Sequence, residues 1–139
     1  MTARDWMSTA PRSVPPMLSV WAALAIMREE DIRHLLVVDQ GQLVGVLSNR
    51  DFRKILEWTR PDGTLTGLRD VVVARIMTPV DRVVTVPPEA SLLDVARLII
   101  RRKIGCVPVV TDAARPCGIL TQKDVMRALI TLAMAADAR

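Results

Sequence analysis

The chain repeats itself, and the repeat limits what it can fold into more than any other feature. Residues 13–20, SVPPMLSV, return as TVPPEASL at 85–92, and RHLLVVD at 33–39 returns as GCVPVVT at 105–111, both at an offset of 72. GVLSNRD at 45–51 returns as GILTQKD at 118–124, an offset of 73, so the second copy carries one more residue in the intervening turn (TDAARPC against DQGQ). Upstream, WMST at 6–9 answers IMTP at 76–79 at an offset of 70. Two copies of a unit within 139 residues are each too small to cover an apolar face alone, so they are expected to pack on one another.

Each copy reads the same way. Pro15-Pro16 and Pro87-Pro88 mark a turn, because proline fixes φ and lacks an N–H. Ser19 and Ser91 are N-cap residues for helices that follow, with Val20, Ala23, Leu24 and Met27 on one face of the first and Leu92, Val95, Ala96 and Ile99 on one face of the second. The runs LLVV and VPVV are short and β-branched, as buried strands are, and LVGVLS and CGILT lie at hairpin spacing from them. A second helix begins at NRDFRKILEW and at QKDVMRALITLAMAA. With short leading strands around Val14 and Val86, each unit is β-α-β-β-α, an α/β (α+β) class fold. The boundaries are 1–58 for the first copy, 59–74 for a turn-rich linker containing Pro61, Gly63 and Gly67, and 75–139 for the second copy.

Composition narrows the function. Half the residues are hydrophobic, with three Trp, one Phe and no Tyr, so the core is built from aliphatics, and the seven Met fill its gaps. One His and two Cys, Cys106 and Cys117, fall short of the usual four zinc ligands. No nucleophile–base pair and no Gly-rich phosphate loop is visible, which argues against an enzyme. The net charge of +4 is spread out, without a basic helix interleaved with aromatics, so nucleic acid is not the expected partner. Without a signal peptide or an apolar run of about 20 residues, a cytoplasmic location without membrane contact is expected. Trp21 and Trp58 are assigned to helix–helix contacts, Trp6 to anchoring the N-terminal segment, and Cys106 to a small buried hydrophobe.

WMSTAP, SVPP, a helix, RHLLVVD and LVGVLSNRD, in that order, resemble a cystathionine-β-synthase (CBS) motif, and the second copy resembles another. Together they resemble a tandem CBS pair, or Bateman module, and the opening RDWM resembles small stand-alone bacterial CBS-pair proteins, including those of the acetoin-utilisation type. The resemblance implies two repeats packed about a pseudo-two-fold axis. It also implies a non-catalytic regulatory module that senses an adenosine-containing ligand in the cleft between the motifs and signals to a separate, unidentified protein. AMP, ADP or ATP is the leading ligand, NADH or S-adenosylmethionine the alternative, and no obligatory cofactor is implied. A homodimer is also implied. The apolar helix VWAALAIM, with Trp21 and Ala25 outward, and the apolar segment 125–136 are its candidate surfaces. The competing function is a dimerising scaffold that binds no nucleotide, since fold does not dictate function.

The hydroxyl and acid of the repeated heptad stand three apart, Ser48 with Asp51 and Thr121 with Asp124. A capping box explains this spacing without a ligand. It is also compatible with one, because a helix start offers free N–H groups to phosphate and a carboxylate accepts from vicinal ribose hydroxyls. The resemblance gives Ser48, Asp51, Thr121 and Asp124 the sugar and phosphate. Arg50 and Lys123 are phosphate contacts or solvated surface charges. Arg33 and His34 form a basic pair at the strand entrance that by resemblance grips phosphate, the competing role of His34 being a surface residue at a helix–strand corner, and the pair is absent from the second copy, where Gly105 and Cys106 stand. By resemblance the adenine is met by a hydroxyl and strand aliphatics of the other copy: Thr85, Val107 and Val109 complete the Ser48 site, and Ser13, Leu35 and Val37 complete the Thr121 site. Ordinary core packing is the competing role of the four aliphatics. The basic pair leads to the expectation that phosphate favours the Ser48 site.

Overall fold

Two-residue strands next to the Met-containing segments decide how the chain divides. The structure, a computed structural model, describes residues 1–57, 61–62 and 67–138. It forms two units, one of Met1–Pro11 with Val84–Arg139 and one of Arg12–Val83. The sequence repeats 1–58 and 75–139 therefore differ from the compact bodies: each body takes its opening segment from the other repeat. The strands that seal this exchange are β1 (Ser8–Thr9) and β5 (Thr78–Pro79). β1 lies antiparallel on β7 (Arg115–Thr121), pairing Thr9 with Gly118. β5 lies antiparallel on β4 (Gln42–Ser48), pairing Gly45 with Pro79.

The rest of each sheet follows the repeat residue by residue. In the Arg12–Val83 unit the order is β2-β3-β4-β5, with β2 (Ser13–Val14) parallel to β3 (His34–Asp39) through Val14 and Val37. In the other unit the order is β1-β7-β6, with β6 spanning Cys106–Thr111, and a parallel bridge joins Val86 to Val109, the repeat mates of Val14 and Val37. Both hairpins shift register at matching places, between Val37 and Val38 and between Val109 and Val110. The extra residue of the second copy sits in the hairpin loop, as expected: Asp39 pairs with Gln42 across two residues and Thr111 with Arg115 across three. Gln40 and Gly41 have φ of 51° and 78°, the left-handed conformation that a two-residue hairpin turn requires.

The helices bury the predicted faces. Helix α1 covers Ala3–Trp6, α2 Val20–Glu30, α3 Leu92–Arg102 and α4 Gln122–Asp137. α2 buries Val20, Ala23 and Met27, and α3 buries Leu92, Val95 and Ile99. Ser19 caps α2, its hydroxyl accepting from the Ala22 N–H at 3.1 Å. Ser91 stands at the N-cap of α3 without a side-chain cap bond. After β4 the chain continues as a 3-10 helix, Asn49–Glu57. Each unit has its own core, one around Leu35, Val37, Leu47 and Ile76, the other around Val95, Val107, Val109 and Leu120. The described end of the expected linker belongs to the first core: Val71 and Val73 are buried, and the Leu68 and Val71 carbonyls accept from Trp21 and Val20 at the start of α2. Trp58 lies outside the described residues.

Candidate functional site

The hairpin register assembles one cluster in the Arg12–Val83 unit. His34 pairs with Ser48, and the Asn49 N–H donates to the Arg33 carbonyl at 3.0 Å, so the strand entrance and the helix start are side by side. Asp51 turns back beneath them. Its Oδ2 accepts from the Ser48 N–H at 2.8 Å and from the Ser48 hydroxyl at 3.4 Å. Its Oδ1 lies 3.1 Å from Lys54 Nζ, which also donates to the Ile76 carbonyl at 2.7 Å. Asp51 is 8% exposed, and Lys54 keeps 45% of its side-chain surface. Arg33 and Arg50 are exposed. His34 is half-buried, and burial holds its pKa below the ordinary 6.5, with Arg33 and Arg50 acting the same way and Asp51 opposing them. Burial thus disfavours the charged form of His34, and Arg33 is the stronger cation of the expected pair.

The other unit repeats the arrangement. Cys106 pairs with Thr121 where His34 pairs with Ser48. Asp124 Oδ2 accepts from the Thr121 N–H at 2.9 Å and from its hydroxyl at 3.2 Å, and Asp124 Oδ1 lies 3.4 Å from Arg127. Asp124 is 2% exposed. Burial pushes the Cys106 thiol up to about 12, so it is no nucleophile here. Lys123 and Gln122 are exposed at the start of α4. Lys54 and Arg127 are not among the residues expected from the sequence. The signal was present, because a cation three residues after an acid on a helix lies within reach of it.

The remaining expected residues fall into two groups. Leu35, Val37, Val107 and Val109 are each 0% exposed and belong to the cores, the competing role named for them above. Ser13 is exposed, and Thr85 lines an open pocket of about 460 Å³ whose charged walls include Arg4, Glu89 and Asp112. Among the described residues no group of three or more His, Cys, Asp or Glu is placed to hold a metal ion, and no helix is long and apolar enough to cross a membrane.

The CBS domain family model matches residues 3–57 and 73–131. A Vibrio cholerae protein described as an acetoin utilization protein superposes with a TM-score of 0.84 at 26% identity, covering 100% of this chain and 97% of the other. The Arabidopsis thaliana CBS-pair protein CBSX2, crystallised in complex with AMP, gives 0.76 at 30% identity over 94% and 97% of the two chains. The CBS domain pair of protein MJ0100, in complex with 5'-methylthioadenosine and S-adenosyl-L-methionine, gives 0.77 at 28% over 93% and 95%. Curated relatives are longer. The chain spans 37%, 22% and 53% of three of them, the second being an L-aspartate semialdehyde sulfurtransferase. The fold is accordingly the mixed α+β fold of these CBS pairs.

Proposed function

The chain belongs to the CBS domain family as a tandem pair, and from that premise we propose that it is a non-catalytic regulatory module that binds an adenosine-containing ligand at its two capped helix starts. One observation carries the reading. In both units a nearly buried carboxylate has one oxygen held by the cap and the other facing only a solvent-exposed cation. A ribose offers the vicinal hydroxyls such an oxygen accepts, and the N–H groups of the helix start suit a phosphate. Asp51 with Ser48 and Asp124 with Thr121 take the sugar. Arg33, Arg50 and Lys123 are the cations available to phosphate, and Ser13 and Thr85 are the hydroxyls assigned to the base. Leu35, Val37, Val107 and Val109 serve as the backing of the strands.

AMP, ADP and ATP lead the ligand class, with NADH and S-adenosylmethionine behind. Solved neighbours bound to AMP, 5'-methylthioadenosine and S-adenosylmethionine support it. The regulated target is a partner protein, and relatives in which a segment like this fills a fifth to a half of a longer chain support a regulatory part acting on something else. A homodimer belongs to the same reading: Trp21 on α2 is 48% exposed, and Leu129, Ile130, Leu132 and Met134 on α4 are 56%, 55%, 51% and 67% exposed. Sedimentation showing only monomer at micromolar concentration removes the dimer.

A thermal-shift panel of the five ligands tests the function. A ligand at about 100 times its Kd stabilises the fold by roughly 2.7 kcal/mol, and Asp51→Asn with Asp124→Asn should abolish the shift. The cap bonds satisfy both acids without any ligand, which is the observation favouring the scaffold alternative. A flat panel selects the scaffold.

A further inference from the structure

The two acids differ in how firmly their second oxygen is held. Lys54 Nζ lies 3.1 Å from Asp51 Oδ1 and donates to the Ile76 carbonyl at 2.7 Å, so its ammonium is held by two acceptors at once. Arg127, the repeat mate of Lys54, makes one contact to Asp124 Oδ1 at 3.4 Å, and its side chain is 60% exposed. We propose that Lys54 and Arg127 are specificity-determining residues that compete with ribose for the acids, and that the double tether of Lys54 makes the Asp124 site fill before the Asp51 site. The inference rests on the nucleotide reading above and says which half of the module responds first.

Oδ2 of each acid already accepts from two groups of its cap, so Oδ1 is the oxygen a ribose hydroxyl can take. To reach it at Asp124, a ligand displaces one long contact, 3.4 Å, whose cation is largely exposed to solvent. At Asp51 it displaces an ion pair and, with it, a hydrogen bond to a backbone carbonyl. Such exchanges are offset when the freed cation finds a new anion. A phosphate supplies that anion and a bare nucleoside does not. Adenosine therefore discriminates between the two sites more sharply than AMP. This order runs against the expectation drawn from the Arg33–His34 pair, and burial, which disfavours the charged imidazole, weakens that expectation further.

The Ser48 and Thr121 N–H groups donate to Oδ2 of the two acids, so their NMR amide signals report on each site separately. Titration with adenosine should move Thr121 at lower concentration than Ser48, and AMP should narrow the gap. Lys54→Met should tighten adenosine at the Ser48 site by about tenfold, the equivalent of roughly 1.4 kcal/mol for one charged contact no longer displaced. Arg127→Met should shift the Thr121 site less, by about twofold, because a single 3.4 Å contact to an exposed cation is lost. Lys54→Gln, which keeps a donor for the Ile76 carbonyl, provides a second variant should the Met form fold poorly, and it too should tighten adenosine. Simultaneous movement of both amides, earlier movement of Ser48, or a Lys54 variant that binds adenosine no better overturns the proposal while leaving nucleotide binding intact. If neither amide responds to adenosine or AMP, the nucleotide reading itself falls.

Discussion

Replacing Gly45 by Ala should cost far more than replacing Gly118 by Ala, although the two glycines are repeat mates. Both are buried in strands, against the side chain of a repeated Met. The three atoms nearest a Cβ on Gly118 all belong to the Met7 side chain: Sδ, Cγ at 2.8 Å and Cβ at 3.1 Å. Met7 is partly exposed, so its Cγ and Sδ can swing aside, and the Cβ, fixed by the backbone, has to give by only a few tenths of an ångström. A Cβ on Gly45 would meet Met77 Sδ at 2.5 Å and also the Thr78 carbonyl oxygen at 2.8 Å. That oxygen is backbone on β5, which pairs with β4 at Val46 and Thr78, so relief requires the strands to part. Overpacking of this kind costs about 1–3 kcal/mol, while a new Cβ returns roughly 0.4–1 kcal/mol by restricting the unfolded chain. The net expectation is about 2 kcal/mol for Gly45→Ala and under about 1 kcal/mol for Gly118→Ala, or roughly 8 °C against 4 °C or less in Tm. Equilibrium urea denaturation measures both. A double-mutant cycle separates the causes: Met7→Ala should relieve Gly118→Ala, whereas Met77→Ala should leave most of the Gly45→Ala loss in place. Equal losses for the two glycines, or full rescue by Met77→Ala, would refute the role given to the Thr78 carbonyl.

Other outcomes follow from single contacts. Ser19→Ala removes a cap bond to Ala22 and should cost about 1 kcal/mol, whereas Ser91→Ala, which removes none, should stay within about 0.5 kcal/mol in the same urea titration. His34 has a folded pKa below its ordinary 6.5, so the unfolded chain takes up its proton first. Its contribution to stability is complete above that value and declines as pH falls through it, and His34→Gln should flatten this slope between pH 7 and 5. Cys106, with its thiol raised to about 12 by burial, should resist a maleimide probe in the native protein and react on unfolding, while native-state labelling at the rate of a free thiol would contradict its burial.

Local pattern was enough to read much of this fold, because each repeated signal works through near neighbours along the chain. Proline turns, the cap at Ser19, the apolar faces of α2 and α3, and the hairpins with one extra residue in the second loop stand where the sequence puts them. The Ser48–Asp51 and Thr121–Asp124 caps were legible for the same reason, since their donors and acceptors are three residues apart. What only the tertiary structure decided depends on partners far apart in sequence. β1 and β5 are two residues each, too short to show a strand period, so the exchange of opening segments between the repeats left no local trace. Val71 and Val73 sat in a stretch that reads as linker until α2 supplies the N–H groups their segment binds. The tether of Lys54 to the Ile76 carbonyl joins residues 22 positions apart. A cation's preference between two such acids is set by what else it can reach in the fold, and spacing along the chain carries no record of that.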